Sequence, residues 1–186
     1  LYLNPTLPKD EIEKEKGVIC DEINMYEDMP MRHVQDVFTE LVYGDQPAGW
    51  NIVGTKEIVR SFNRDQFVAY RTKHYVPEST VVVISGGINQ TKVIQMVKSR
   101  FASIPPLPKG KKIKTVEKQD KPGIKIVNKK TDQTHLVLGI RTFDTYNKKN
   151  IAMNVLSAVL GAGMSSRLFT KVRDQMGVGY YVPSGT

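Results

Sequence analysis

The stretch STVVVISGGINQTKVIQMVKSRF, residues 79–101, decides how the fold is read. It opens with a run of β-branched and apolar residues, and glycines end that run. The pattern predicts a buried strand. Asn89 then opens a helix in which Val93, Ile94, Val97 and Phe101 recur at helical spacing and face inward. With the helices before it and the strands and helices after it, this strand and helix give both halves of the chain an α+β character.

Upstream, residues 6–28 read as a helix. Thr6 is its N-cap, Pro8 suits its first turn, and Asp10, Glu11 and Glu13 complement the positive helix end. Pro30 closes that segment. Residues 31–43 repeat apolar side chains at Val34, Val37, Phe38, Leu41 and Val42, a second amphipathic helix. YGDQPAGWNIVGT is a loop, broken by three glycines and a proline. Thr55 caps a short helix running through Arg60, and Asn63 caps another running through Tyr75.

Downstream, SIPPLPKGKK stops all periodicity and reads as an extended linker. GIKIVNKK and THLVLGIRTF are two strand patterns beyond it. Residues 147–160 are helical, apolar at Ile151, Val155, Leu156, Val159 and Leu160. GAGMSS is a turn rather than a nucleotide-binding G-x-G-x-x-G, because Ser166 holds the last position; a serine N-cap explains it better. SRLFTKVRDQM is helix again, and VGYYV starts a strand. The expected fold is therefore α+β, an antiparallel-rich sheet flanked by helices in two half-domains, both incomplete. The boundaries are 1–103, a Pro/Lys-rich linker at 104–122, and 123–186.

Composition narrows the class. A chain of 186 residues suffices for one large or two small domains, and 40% hydrophobic with 25% charged residues is ordinary for a soluble globular protein. Cys20 is the single cysteine, so no internal disulfide can form. No apolar run approaches the roughly 18–20 residues of a membrane span. The chain does not begin with Met, which suggests a fragment or a processed product. The net charge is +8, and residues 109–130 carry most of it, with nine lysines against Glu117 and Asp120. That run contains no aromatic residue for base stacking and no arginine for bidentate base contacts. A solvated linker explains it better than a nucleic-acid site.

One pattern asks for chemistry. Ile12, Glu15, Ile19, Glu22 and Tyr26 are spaced 3, 4, 3 and 4, a single stripe on one helix. A buried carboxylate must be paired, hydrogen-bonded or metal-bound, because bare desolvation costs several kcal/mol. Either Glu15 and Glu22 have such partners, or the stripe is half-buried and both acids reach water. Gly17, in mid-helix, costs about 1 kcal/mol against Ala and points to another backbone passing close.

EKEKGVICDEINMYEDMP, at residues 13–30, resembles the segment that follows the metal-binding helix in the pitrilysin/insulinase family of zinc peptidases. The resemblance continues through YGDQPAGWNIVGTKEIVRSFNRDQFVAYRTKHYVPESTVVVISGGI, QTHLVLGIRTF and LGAGMSSRLFTKVRDQMGVGYYV. It is strongest to bacterial members related to mitochondrial processing peptidase. It implies two homologous half-domains and a zinc-dependent endopeptidase that cuts peptides with metal-activated water. The inverted motif H-x-x-E-H of that family supplies two zinc-binding His and the Glu that activates water. Glu22 matches the third zinc ligand, and Glu15 an acid that supports the ligands from outside the coordination sphere. Arg173 and Tyr180, in VRDQMGVGY, match a pair that holds substrate. The implied partners are peptide or unfolded-protein substrates taken up by strand addition, and a homodimeric mate or peptidase-like partner subunit. The implied setting is the bacterial cytoplasm, with no membrane span and no nucleic acid.

No H-x-x-E-H occurs in this sequence. His33, His74 and His135 are isolated and are not expected to bind metal; a helix C-terminus is reason enough for His74. The expectation is an inactive middle portion of a catalytic parent. The alternative is a non-catalytic subunit of the same fold, acting in partner binding or assembly. A basic nucleic-acid-binding module is a more distant rival.

Overall fold

Pro8 begins the first ordered element in the computed structural model, which describes residues 2–186. Its φ of −61° presets the chain for α1 (Lys9–Glu27), and its carbonyl accepts from Ile12 N at 3.1 Å. The expected cap at Thr6 is therefore corrected to Pro8, and no side chain caps this end. Asp10 and Glu11 lie in the first turn, where carboxylates favour the exposed amides.

Pro30 then occupies the first turn of α2 (Pro30–Tyr43), which ends where Gly44 takes φ +66° and its N–H bonds Glu40 O at 2.7 Å. In α3 (Lys56–Ser61), Thr55 accepts from Ile58 N at 3.3 Å. In α4 (Arg64–His74), Asn63 and Gln66 form a reciprocal capping box, with bonds of 3.1 and 2.8 Å. A single 3-10 turn, Pro77–Ser79, follows. α5 (Gln90–Phe101) is capped by Asn89, which accepts from Lys92 N at 3.0 Å. The caps expected at Thr55, Asn63 and Asn89 thus form, unlike that expected at Thr6.

Two compact units divide the chain, Leu1–Leu138 and Gly139–Thr186. In the first, α1 packs on α2 and α3 around a small core of Cys20, Ile23 and Val59, flanked by Ile19 and Val53. Removing such a side chain from water is worth about 1.5–3 kcal/mol. Arg71 ties the N-terminal segment to α4 through Tyr2 O at 2.7 Å and Leu3 O at 2.5 Å. The Tyr2 ring rests 5.2 Å from that of Tyr75 and 5.7 Å from that of Phe101.

In the second unit, α6 (Asn150–Gly161) is followed by a turn and a wide π-type helix, Phe169–Gln175. Met176 N reaches back five residues to Lys171 O at 3.1 Å, the spacing that defines this wider coil. A Cβ on Gly161 would collide with the backbone at Pro183 and Ser184, so glycine there admits the C-terminal segment against α6. Ser157 and Ser184 share a 3.1 Å hydrogen bond at that approach. Several apolar positions of α6 are open: Ile151, Val155, Leu156 and Val159 are exposed.

The expected α+β class, with its antiparallel-rich sheet, is overturned. Among the described residues no strand forms, and the ordered elements are helical. The apolar run at 80–85 is 86% exposed at Val81 and 83% at Val83, and Leu136 and Leu138 are comparably open. β-branched residues supply a preference, but a strand exists only when a neighbour completes its ladder and covers a face. Gly17 is also corrected: nothing among the described residues lies within 4 Å of where its Cβ would be, so none of their backbone passes close.

Candidate functional site

Helix geometry fixes where the two acids of α1 stand. At 100° per residue, Ile12, Ile19, Cys20 and Ile23 form one seam, and Glu15 and Glu22 lie about 80–100° around from it. Both acids are exposed, while Ile12, Cys20 and Ile23 are buried. The inward position between them is taken by Lys16, whose stem is covered and whose ammonium pairs with Glu13 at 2.6 Å. Of the two readings left open by the 3-4-3-4 stripe, the half-buried one describes this helix. Glu15 and Glu22 share one flank, about 10 Å apart along the axis. Neither has an ion-pair or hydrogen-bond partner among the described residues.

The C-terminal end of α1 is different. Glu27 pairs with Lys56 at 2.7 Å, and Asp28 with Lys129 at 2.8 Å. The hydrogen bond and positive charge of Lys129 hold the Asp28 carboxyl below its usual range. The Arg32 guanidinium sits 3.8 Å from the centre of the Tyr26 ring, which closes the stripe with a cation–π contact rather than a ligand.

The histidines are dispersed. His33 lies in α2, half-buried; His74 ends α4 and stacks on Tyr70 at 4.3 Å; His135 is half-buried in an irregular segment. A zinc site needs three protein ligands and an open position. Among the described residues no three of His, Cys, Asp and Glu converge. These residues by themselves therefore do not fit a zinc ion, and no chemical step through a metal is derived from them.

In the second unit, the structure does bring the other candidate pair together. The Arg173 guanidinium lies 4.6 Å from the centre of the Phe169 ring and 4.7 Å from that of Tyr180. The π-type coil carries Phe169 and Arg173 four residues apart on one side. Gly177, at φ +65°, turns the chain so that Tyr180 returns to the same place. Two aromatic faces hold a cation whose N–H donors make no hydrogen bond or ion pair among the described residues. Tyr180 is 85% exposed. The arrangement offers a planar fork of donors with a phenol beside it, suited to a carbonyl or carboxylate. Phe169 was missed by reasoning from the sequence; its i, i+4 spacing to Arg173 was the available signal.

Two shallow hollows accompany these features, and neither contains a candidate residue. One, of about 360 Å³, is lined by Val82, Ile84, Ile88, Val93, Ile94 and Val97. The other, of about 320 Å³, lies beside α6 at Ala158, Val159 and Ser165. The serine cap expected for the following helix does not form, and Ser166 is buried with its hydroxyl unpaired.

A family model described as the peptidase M16 inactive domain matches residues 61–186. The uncharacterized zinc protease YmxG of Bacillus subtilis is 36% identical over 185 residues, covering 99% of this chain and 44% of that protein. An uncharacterized zinc protease of Streptomyces coelicolor is 32% identical over 189 residues, covering 97% of this chain and 40% of that protein. The chain thus spans less than half the length of the curated relatives it matches. Among solved structures, the peptidase M16 inactive domain from Pseudomonas fluorescens aligns with a TM-score of 0.74 at 19% identity, over 99% of this chain and 45% of that one. At that identity the likeness concerns the fold alone.

Proposed function

The chain belongs to the peptidase M16 family, and from that premise we propose that it is part of a zinc-dependent metalloendopeptidase that hydrolyses peptides with metal-activated water. The names of its relatives, zinc proteases, support that assignment. The observation that carries it is the Arg173–Tyr180 pair, held open beside Phe169 where it can grip a peptide carbonyl or carboxylate. Glu22 is proposed as one zinc ligand of the parent and Glu15 as its supporting acid. Their unpaired, solvent-facing flank on α1 leaves both free for partners supplied elsewhere in the parent. Residues 1–103 would belong to a catalytic-type domain, 104–122 to a linker, and 123–186 to a substrate-clamping domain. The chain on its own is proposed to be inactive. Among the described residues no helix is long and apolar enough to cross a membrane. A bacterial cytoplasmic setting, peptide or unfolded-protein substrates, and a homodimeric or peptidase-like mate complete the proposal.

A second reading has its own support. The matching family model is described as an inactive domain, which favours a non-catalytic subunit acting in partner binding. Two measurements on the intact parent separate them. The first is zinc content by mass spectrometry in Glu22→Gln and Lys112→Ala variants; loss only in Glu22→Gln is expected, and equal zinc in both sinks the ligand assignment. The second is peptide hydrolysis with and without a chelator. Hydrolysis that disappears with the metal is expected, and none at all decides for the non-catalytic subunit.

A further inference from the structure

We propose that residues 109–130 form a tethered cationic strip that docks an acidic, extended segment of polypeptide. Every residue of this run is exposed, yet the run is not loose. Four contacts fasten it to the first unit. Lys109 N donates to Glu78 Oε2 at 3.0 Å. The Gln46 amide clasps both backbone groups of Val116, accepting from its N–H at 2.7 Å and donating to its carbonyl at 3.2 Å. Lys125 pairs with Glu40 at 2.6 Å, and Lys129 with Asp28 at 2.8 Å.

Between those tethers stand Lys111, Lys112, Lys114, Lys118 and Lys121. None of their ammonium groups has an ion-pair or hydrogen-bond partner among the described residues. Glu117 and Asp120 are the only acids within the run. Five ammonium groups held on a fastened backbone lose less freedom on binding than the same groups on a free chain. Like charges crowded along one segment also repel, and a ligand of opposite sign relieves that repulsion.

The ligand class follows from what lies between the lysines. The run has no aromatic side chain on which a base could stack and no arginine to fork onto one. It has apolar side chains instead, with Ile113 74% and Val116 51% exposed. Residues 111–115 make no backbone hydrogen bond among the described residues, so their amides and carbonyls are open to strand addition. Main-chain bonding with interleaved lysine and apolar contacts suits an extended chain alternating acidic and apolar residues. This surface stands whether or not the parent hydrolyses peptides.

The test is fluorescence anisotropy of the intact protein with three labelled probes: a Glu/Val alternating peptide, a neutral Ser/Val peptide, and a single-stranded oligonucleotide of matching charge. The acidic peptide should bind most tightly, and added salt should weaken it. The triple variant K112Q/K114Q/K118Q should lose about tenfold in affinity, as three exposed pairs allow. Gln46→Ala and Glu78→Ala, which keep all nine lysines of the run but cut a tether, should also weaken binding while retaining the native circular dichroism spectrum. The proposal is overturned by any of four results. These are no saturable binding of the acidic peptide, no loss in the triple variant, unchanged affinity in both tether variants, or tighter binding of the oligonucleotide.

Discussion

Arg173 and Tyr180 are seven positions apart in sequence, yet the guanidinium of one stands 4.7 Å from the ring centre of the other. Phe169 flanks the same guanidinium at 4.6 Å. An exposed cation–π contact of this kind is worth about 0.5–1 kcal/mol. A double-mutant cycle of Arg173→Gln and Tyr180→Leu, read by urea denaturation, should return a coupling in that range. Additive losses would mean that the contact contributes nothing. Tyr180→Phe keeps the ring and loses the hydroxyl, so the parent should show a raised KM for peptide at an unchanged melting temperature.

Two glycines should respond in opposite directions. Gly17 sits inside α1 with open space around its missing side chain, so Gly17→Ala should stabilise by about 1 kcal/mol. Gly161 closes α6 against the backbone at Ser184, where a Cβ does not fit, so Gly161→Ala should destabilise. Chemical denaturation of both variants checks the pair, and a stabilised Gly161→Ala would contradict the close approach.

The Asp28–Lys129 contact makes a statement about acid. Lys129 lowers the Asp28 carboxyl from its usual value of 3.8, first through the hydrogen bond and then through charge. A depressed carboxylate stabilises the fold above its unfolded value, and that contribution fades as pH falls through the lowered one. The difference in melting temperature between the native chain and Lys129→Gln should be present at neutral pH, disappear in strong acid, and shrink with salt. Carboxyl NMR should find Asp28 titrating higher in the variant.

Asn63 heads α4 with a full capping box. Asn63→Ala should cost about 1 kcal/mol, and Asn63→Gly only a few tenths. Gln66→Ala, which removes only the return bond to Asn63 N, should cost less than Asn63→Ala. Denaturant midpoints at constant m-value give the comparison.

Cys20 is buried beside Ile23 and Val59. Its thiol should react with an aromatic disulfide reagent only at the rate of local opening, and fully once urea is added. Ile23→Ala, which empties part of the same cluster, should cost about 2–5 kcal/mol and speed that reaction.

The helical framework was largely legible before any coordinates. Thr55, Asn63 and Asn89 mark helix starts that the structure keeps, and Gly44 marks a helix end. Thr6 and the serines of GAGMSS do not cap, because a hydroxyl near a helix start caps only when the backbone turns it toward the free amides. The α1 stripe left two readings open for a related reason. Ile12, Glu15, Ile19, Glu22 and Tyr26 fit helical spacing, but spacing does not say which edge of a broad stripe meets α3. Lys16 and Cys20 turned inward, and the acids stayed in water.

By itself the sequence determined the local turns, the candidate residues by type, and the family through its quoted motifs. A helix closes its hydrogen bonds within four residues, so its limits are written nearby. Only the tertiary structure decided that the β-branched runs would find no ladder, that Gln46 and Glu40 would fasten the lysine run, and that Phe169 would complete the cradle around Arg173. Ladders, tethers and burial each need a partner brought from elsewhere in the chain, and short-range pattern carries no record of where that partner will be.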